Sequence, residues 1–403
     1  MRHRSGWRIG IILAIVIVSG IVLYLRPFNL GLDLKGGVHV VLEADPSAGE
    51  VTNENMSGVV SIIERRINAL GVSEPLIQRE GARRIIVELP GIHDQQQAID
   101  TVGRTALLEF KDPSGKTALD GSYLRDVRLG TDRYGQPAID LEFDSEGVQL
   151  FAQLTTRYQG QATAIVLDGE VLQTVMIREP ILEGRAQITG GMTVEEARHM
   201  VVLLQEGSLP VPMQIMEIRN VGPTLGQDSI DRSFRAGIVG VILVLIFMGL
   251  YYKLPGIVAD LALLVYVVIV LGILSAIDAV LTLPGIAGII LSVGMAVDAN
   301  VLIFERVKEE IADGKRLTSA IEAGFSRAFA TILDSNITTL ITAAVLFYVG
   351  TGGVRGFAVT LGVGILVSMF TAIVVTRSIL NIVADKHPDT MAKHFRMGGF
   401  RRS

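Results

Sequence analysis

The sequence predicts a multi-pass α-helical membrane protein with a large α+β domain on one side of the bilayer. Three observations lead there. Of 403 residues, 49% are apolar and only 19% charged, below the roughly 25% charge of soluble domains. The deficit is concentrated: residues 234–304 carry five charges in 71 positions, whereas 26–233 carry 49 in 208. Six apolar stretches also approach the ~20 residues that a spanning helix needs. A soluble single-domain enzyme is excluded.

The first span covers 9–25, behind Arg2, Arg4 and Arg8 and ending at Arg26-Pro27. Its length and the lack of a small-x-small cleavage site mark a retained anchor rather than a signal peptide. Five more spans follow at 234–252, 257–277, 285–304, 331–349 and 357–380. Lys/Arg asymmetry orients them. A cytoplasmic N-terminus (1–8) puts Lys253 inside, together with a 305–330 loop bearing Arg306, Lys308, Lys315, Arg316 and Arg327. The 381–403 tail with Lys386, Lys393, Arg396, Arg401 and Arg402 falls on the same side. The 26–233 block, with a net charge of −11, then lies outside, as long domains translocate whatever their charge.

Within that block the patterns alternate between strand and helix. Residues 38–43 form a β-branched run, and Ile85, Val87 and Leu89 alternate as a strand. Val59, Ile62, Ile63, Ile67 and Leu70 recur at helical spacing before Gly71. Thr193 and Glu196 have capping-box form ahead of Val194, Ala197, Val201 and Leu204, and 212–218 returns as a strand. Asp168-Gly169 between 163–167 and 170–177 signals a hairpin. Val148, Phe151, Leu154 and Tyr158 make an amphipathic helix capped near Asp144-Ser145. A ferredoxin-like base at about 30–112 plus 190–222, with a head inserted at about 113–189, accommodates them.

The strongest local signal is Asp298, inside the apolar fourth span. A charged Asp at helix centre costs about 2.5–3.5 kcal/mol on insertion scales, so it must face protein or a water-filled cavity. Gly294, Asp298, Val301/Leu302 and Glu305 share one helical stripe. An apolar setting favours the neutral form of a carboxyl group, which suits a group that loads and releases protons; the alternative is a structural Asp that never titrates. In the next span Asp334, Thr338 and Thr342 recur every fourth residue, as do Ser335 and Thr339. With Asn336 they suggest a hydrated wall around Asp298, or ordinary interhelical adhesion. Asp260 and Asp278 sit near span ends and read as solvated.

Other chemistry is poorly supported. No segment is basic enough for a nucleic-acid footprint, and there is no cysteine. Ser114-Gly115-Lys116-Thr117 lacks the leading Gly of a phosphate loop, since Phe110 stands there. Gly324-Phe325-Ser326-Arg327-Ala328 lacks the second Gly of a nucleophile elbow. The six histidines form no metal-spaced pair. The expectation is a non-enzymatic protein without a cofactor, driven by binding energy or an ion gradient.

The motifs GLDLKGG (31–37), GPTLGQDSI (222–230), GMAVDANVLIFERVKEE (294–310), AFATILDSNITTLITA (328–343), GTGGVRGFAVTL (350–361) and SMFTAIVVTR (368–377) resemble the SecD/SecF family of the bacterial Sec translocase, on its SecD side, within the resistance–nodulation–division superfamily. Lys35 replaces a Gln common in that family, and the outer domain is of the compact kind. The chain ends after six spans, so the resemblance implies a separate SecF chain.

It further implies an inner-membrane subunit that, with SecF, spends the proton motive force on completing preprotein translocation after SecA has acted. Asp298 matches the relay aspartate, with Asn300, Asp334, Asn336, Thr338 and Thr339 around it and Glu305-Arg306 as a cytoplasmic-end pair. Asp33, Gly36, Gly37, Gly222, Pro223 and Gly226 form hinges or linkers. The implied partners are SecF, the SecYEG channel, SecA indirectly, YajC, YidC, unfolded preprotein and the lipid bilayer. The coupling ion is H⁺, with Na⁺ as the alternative. A small-molecule or lipid exporter and a passive scaffold of the export channel are the rival readings.

Overall fold

The computed structural model describes residues 2–46, 51–72, 75–92 and 94–397; Arg401 and Arg402 of the expected basic tail lie outside them. Contacts divide the chain into two units, Gly36–Gly222 and Met1–Lys35 with Pro223–Ser403.

The membrane unit opens with α1 (Arg2–Leu25), whose apolar part is Ile9–Leu25. After β1 (Asn29–Leu30) comes the short α2 (Leu32–Lys35). The outer unit runs β2 (Gly37–Ala44), α3 (Asn53–Ala69), β3 (Leu76–Glu80), β4 (Arg84–Pro90), α4 (Gln95–Gly103), β5 (Leu108–Lys111), β6 (Thr117–Asp120), β7 (Leu124–Thr131), β8 (Pro137–Phe143), α5 (Ser145–Arg157), β9 (Ala162–Leu167), β10 (Glu170–Met176), β11 (Arg185–Ile188), α6 (Val194–Gln205) and β12 (Met213–Val221). The chain returns to the membrane unit with α7 (Pro223–Tyr252), α8 (Leu254–Ala276), β13 (Val280–Leu281), α9 (Leu283–Ala312), α10 (Leu317–Val349) and α11 (Gly352–Phe370). A π-helical turn (Thr371–Thr376), α12 (Arg377–Lys386) and α13 (Pro388–Met397) follow.

The base of the outer unit is an antiparallel sheet of order β12-β2-β4-β3. With α3 after its first strand and α4 after its third, this is the ferredoxin-like split βαβ arrangement. Val38, Val40, Leu42, Ile85, Val87 and Leu89 face α3's Val59, Ile63 and Ile67 in one buried core. The head has its own core, in which Phe110, Phe143 and Phe151 meet at centroid distances of 4.8–5.7 Å. Its sheets are β10-β9-β5-β6 and β11-β8-β7. Asp168 and Gly169 both take positive φ, 52° and 86°, as the two-residue turn between β9 and β10 requires.

The head begins earlier than the sequence pattern suggests. β5 pairs with β9 more than fifty residues downstream, a partnership that no local period encodes. Ala197 and Leu204 of α6, expected in the base, pack in the head core.

Arg66 holds the neck between base and head. It lies on the apolar stripe of α3 and is fully buried. Its guanidinium donates to the carbonyls of Thr101 (3.1 Å), Arg104 (2.5 Å), Thr105 (3.2 Å) and Gly207 (2.7 Å). These carbonyls belong to the strand of chain entering the head and to the one leaving it. Burial lowers the Arg66 pKa to about 10, against the attraction of Asp168 and Glu206, so it stays charged at neutral pH. From the head side, Asp168 accepts the N–H groups of Ala106 and Leu107. Arg65 pairs with Glu206 at 3.1 Å.

His199 on α6 adds a link to α4. The Thr101 hydroxyl donates to the Gln97 carbonyl, so the His199 Nε2–H donates to Thr101 Oγ1 at 2.6 Å. Burial holds this imidazole below the usual histidine range.

The membrane unit departs from the predicted spans in two places. The expected 305–330 loop is helix except at 313–316, because α9 and α10 continue past the apolar core as charged, mutually packed extensions. There the carboxylate of Glu310 is fully buried between Lys315 and Arg327. The expected sixth span is interrupted by the π-helical turn. Elsewhere small residues allow close approach: a Cβ on Gly272 of α8 would lie 2.5 Å from Ser19 of α1.

Two outcomes follow from the neck. Arg66→Ala strands four buried carbonyls and should cost about 3 kcal/mol or more, measured as earlier chemical unfolding of the outer unit. His199 is held neutral, so the unfolded state binds more protons below about pH 6.5 and stability falls as pH drops through that region. Protection factors of the α6 amides, corrected for the intrinsic pH dependence of exchange, should therefore fall between pH 7 and 5, and His199→Gln should flatten that dependence.

Candidate functional site

Asp298 is the sixteenth of thirty residues in α9, at the middle of the helix. It is exposed on the surface of this chain, on the same side as Leu291. The buried side of α9 carries Ser292, Ala296, Asn300, Ile303 and Val307. Asp298 is thus left uncovered in a helix otherwise apolar enough to cross a bilayer.

The packing of α9 on α10 sets what lies level with Asp298. A Cβ on Gly324 would meet Val307 at 2.5 Å, and Arg327 reaches Glu310 at 2.7 Å. Counting back nine and twelve residues along α9, and forward equally along the antiparallel α10, places Asp298 level with residues 333–339. That stretch contains Asp334, Ser335, Asn336, Thr338 and Thr339. Asp334, Ser335 and Thr338 are exposed, and Asn336 and Thr339 half-buried. The hydroxyls of Thr338 and Thr339 donate to the Ser335 carbonyl, and Thr342 donates to that of Thr338. Their protons are used within α10, leaving oxygen lone pairs outward.

Three expected groupings are revised. Asn300 does not stand beside Asp298; two residues further on, it is turned about 200° around the helix and is buried. It accepts a 2.8 Å hydrogen bond from Thr376 in the π-helical turn and donates to the Ala296 carbonyl. Glu305 and Arg306 do not pair with each other. Glu305 accepts from Tyr252 (2.9 Å) and Lys308 (2.8 Å), while Arg306 binds Glu309 (2.7 Å). Adjacent residues on a helix point about 100° apart, and i,i+3 partners win.

The motif at 31–37 is also divided. α2 packs on α7, where the Leu34 carbonyl leaves no room for a Cβ at Gly226. Asp33 and Gly226 are therefore membrane-unit residues that seat α2. Gly36 and Gly37 begin the outer unit at φ 73° and 135°, and Gly222 ends it. Pro223 starts α7.

Sequence reasoning passed over two features. Asp260, expected to be solvated, is only partly exposed, and its Oδ1 is buried with no hydrogen-bond partner among the described residues. Depth along a helix was visible; the neighbouring α7, where a Cβ on Gly249 would lie 3.9 Å from Asp260, was not. The Asn300–Thr376 bond joins residues 76 apart, and its signal was a polar residue on the inward stripe.

Thr376→Val should remove this buried bond and cost about 0.5–2 kcal/mol. Unfolding of the bundle in denaturing detergent should begin earlier, with the helix content at the start unchanged.

Comparison with known proteins places this geometry in a family. Four family models match in order: "SecD/SecF GG Motif" at 21–48, "Protein translocase subunit SecDF, P1 domain, N-terminal" at 56–115, "SecDF, P1 head subdomain" at 95–211 and "Protein export membrane protein SecD/SecF, C-terminal" at 206–386. The protein translocase subunit SecD of Acidaminococcus fermentans is 53% identical over 92% of this chain and 89% of its own length. That of Dictyoglomus turgidum is 48% identical over 91% and 93%. The crystal structure of SecDF from Thermus thermophilus aligns at a TM-score of 0.68 and 39% identity. It covers 95% of this chain, which spans 59% of the Thermus chain. With matching models along nearly its whole length and relatives this similar, the chain belongs to the SecD family of Sec protein-translocase subunits.

Proposed function

We propose that the chain is an accessory subunit of the Sec export machinery that, together with SecF, uses the proton motive force to complete preprotein translocation after the ATP-driven step of SecA. One observation carries the reading: a carboxylate at the middle of a membrane-spanning helix, on a face that the chain itself leaves open. Charge in such a position is excluded from hydrocarbon, so a second membrane-embedded half must cover it. SecF is the partner of matching kind, and SecDF relatives hold both names in one structure.

In this reading Asp298 takes up a proton from one side of the membrane and gives it to the other. The α10 groups level with it, Asp334, Asn336, Thr338 and Thr339, hold the water or side chains that pass the proton. One proton crossing 100 mV releases about 2.3 kcal/mol, enough to bias a two-state element roughly fifty-fold. No cofactor or bond-making chemistry is required. The outer unit, with two cores joined at a polar neck, holds the emerging unfolded chain. The protein resides in the bacterial inner membrane with both termini cytoplasmic and the outer unit on the far side. It works beside the SecYEG channel, with YajC and YidC as further neighbours and no nucleic-acid partner.

Asp298→Asn tests this directly. Export into membrane vesicles under an imposed pH gradient should lose its gradient-dependent part, tenfold or more, while assembly with SecF is unchanged. Unaltered export would leave a passive scaffold. Imposing the sodium gradient separately identifies the ion.

A further inference from the structure

A cleft of about 250 Å³ opens on the flank of the membrane unit between α9, α10 and the π-helical turn leading into α12. Its walls change polarity in one direction. Along α10 the lining runs from Glu322 through Ser326 to Phe329 and Ile332, one turn at a time, from charged to apolar. On the opposite wall Ile373 and Arg377 are one turn apart, with the cation at the same end as Glu322. Ile303 closes the apolar part, near the end of the hydrophobic stretch of α9. Both walls therefore place charge where spans end and hydrocarbon surfaces where they begin.

The two charges are available. Arg377 has its guanidinium carbon 5.7 Å from the centroid of Phe325, which orients it. Among the described residues neither Arg377 nor Glu322 forms an ion pair or a side-chain hydrogen bond. Two opposite charges that line one cleft without meeting suit a ligand with both signs on one head. A half-buried guanidinium presents several donors to phosphate oxygens. A carboxylate accepts hydrogen bonds from a primary ammonium.

We infer that this cleft is a binding site for a zwitterionic aminophospholipid of the phosphatidylethanolamine class. The phosphate sits on Arg377 with Ser326 beside it, the ammonium on Glu322, and an acyl chain along Phe329, Ile332 and Ile373. The assignment does not depend on proton coupling, since it rests on the lining of the cleft alone. The same polarity gradient disfavours a water-soluble phosphate compound, which would leave the apolar half of the cleft empty. Phosphatidylglycerol would satisfy Arg377 but offers Glu322 only neutral hydroxyls in place of an ammonium. A choline headgroup has no N–H for the carboxylate.

The test uses the full chain with its SecF partner in nanodiscs of equal parts phosphatidylethanolamine, phosphatidylglycerol and phosphatidylcholine. Lipids retained after mild detergent release are counted by native mass spectrometry. The expected result is one retained phosphatidylethanolamine, favoured at least threefold over either competitor. Arg377→Ala should remove the retained lipid. Glu322→Gln, a mild surface change, should abolish the preference while phosphate-bearing lipids still bind. Equal retention of the three lipids by the unaltered protein, or unchanged retention in Arg377→Ala, overturns the proposal. So does a preference for phosphatidylglycerol.

Discussion

A carboxylate at mid-membrane is the constraint around which the membrane unit is organised. Hydrocarbon offers no hydrogen bonds and little dielectric screening, so an ionised group is tolerated only against protein or water. Most polar groups within the bundle are spent on internal partners: Tyr266 on Ser292, Asn300 on Thr376, Ser275 on the Arg26 carbonyl. Asp298 is different. It is exposed at the middle of α9, at the level where α10 offers another carboxylate and a run of hydroxyls. In the proposed reading a second membrane half covers this residue, and the family assignment gives that half a name.

The inward side of α9 has the opposite character. Val307 against Gly324 and Glu310 between Lys315 and Arg327 lock α9 to α10 at one end. The Asn300–Thr376 bond ties it to a π-helical turn near its middle. Such turns are weaker than α-helix and recur at functional positions. On the proposed reading, a helix held firmly on one side and open on the other passes an event at Asp298 to the helices packed behind it. In the outer unit Arg66 plays a comparable part, because two lobes with separate cores are joined through carbonyls that one buried guanidinium gathers.

Much of the local structure was legible from the residues. The hairpin at Asp168-Gly169 and the capping box of Thr193 and Glu196 appear as expected, the latter with both reciprocal hydrogen bonds. The helical spacing from Val59 to Leu70 became α3, but Arg66 on the same stripe was passed over, and only the structure shows it buried at the neck. Hydropathy marked where the later spans lie but not where their helices stop. The amphipathic extensions of α9 and α10 are stabilised by pairs such as Arg306 with Glu309 and Lys315 with Glu310, which carry no hydropathy signal.

What the sequence by itself determined is whatever depends on neighbours within about four residues: turns, caps, helix faces, apolar lengths and the presence of Asp298 in an apolar run. Those properties follow from backbone sterics and transfer free energy, which act locally. Only the tertiary structure decided that Asp298 points out of the bundle while Asn300 points in, that β5 belongs to the head, and that Glu305 turns to Tyr252 rather than to Arg306. Each of these is settled by a contact between residues far apart in the chain or by the rotation of one packed helix against another. A one-dimensional period records neither.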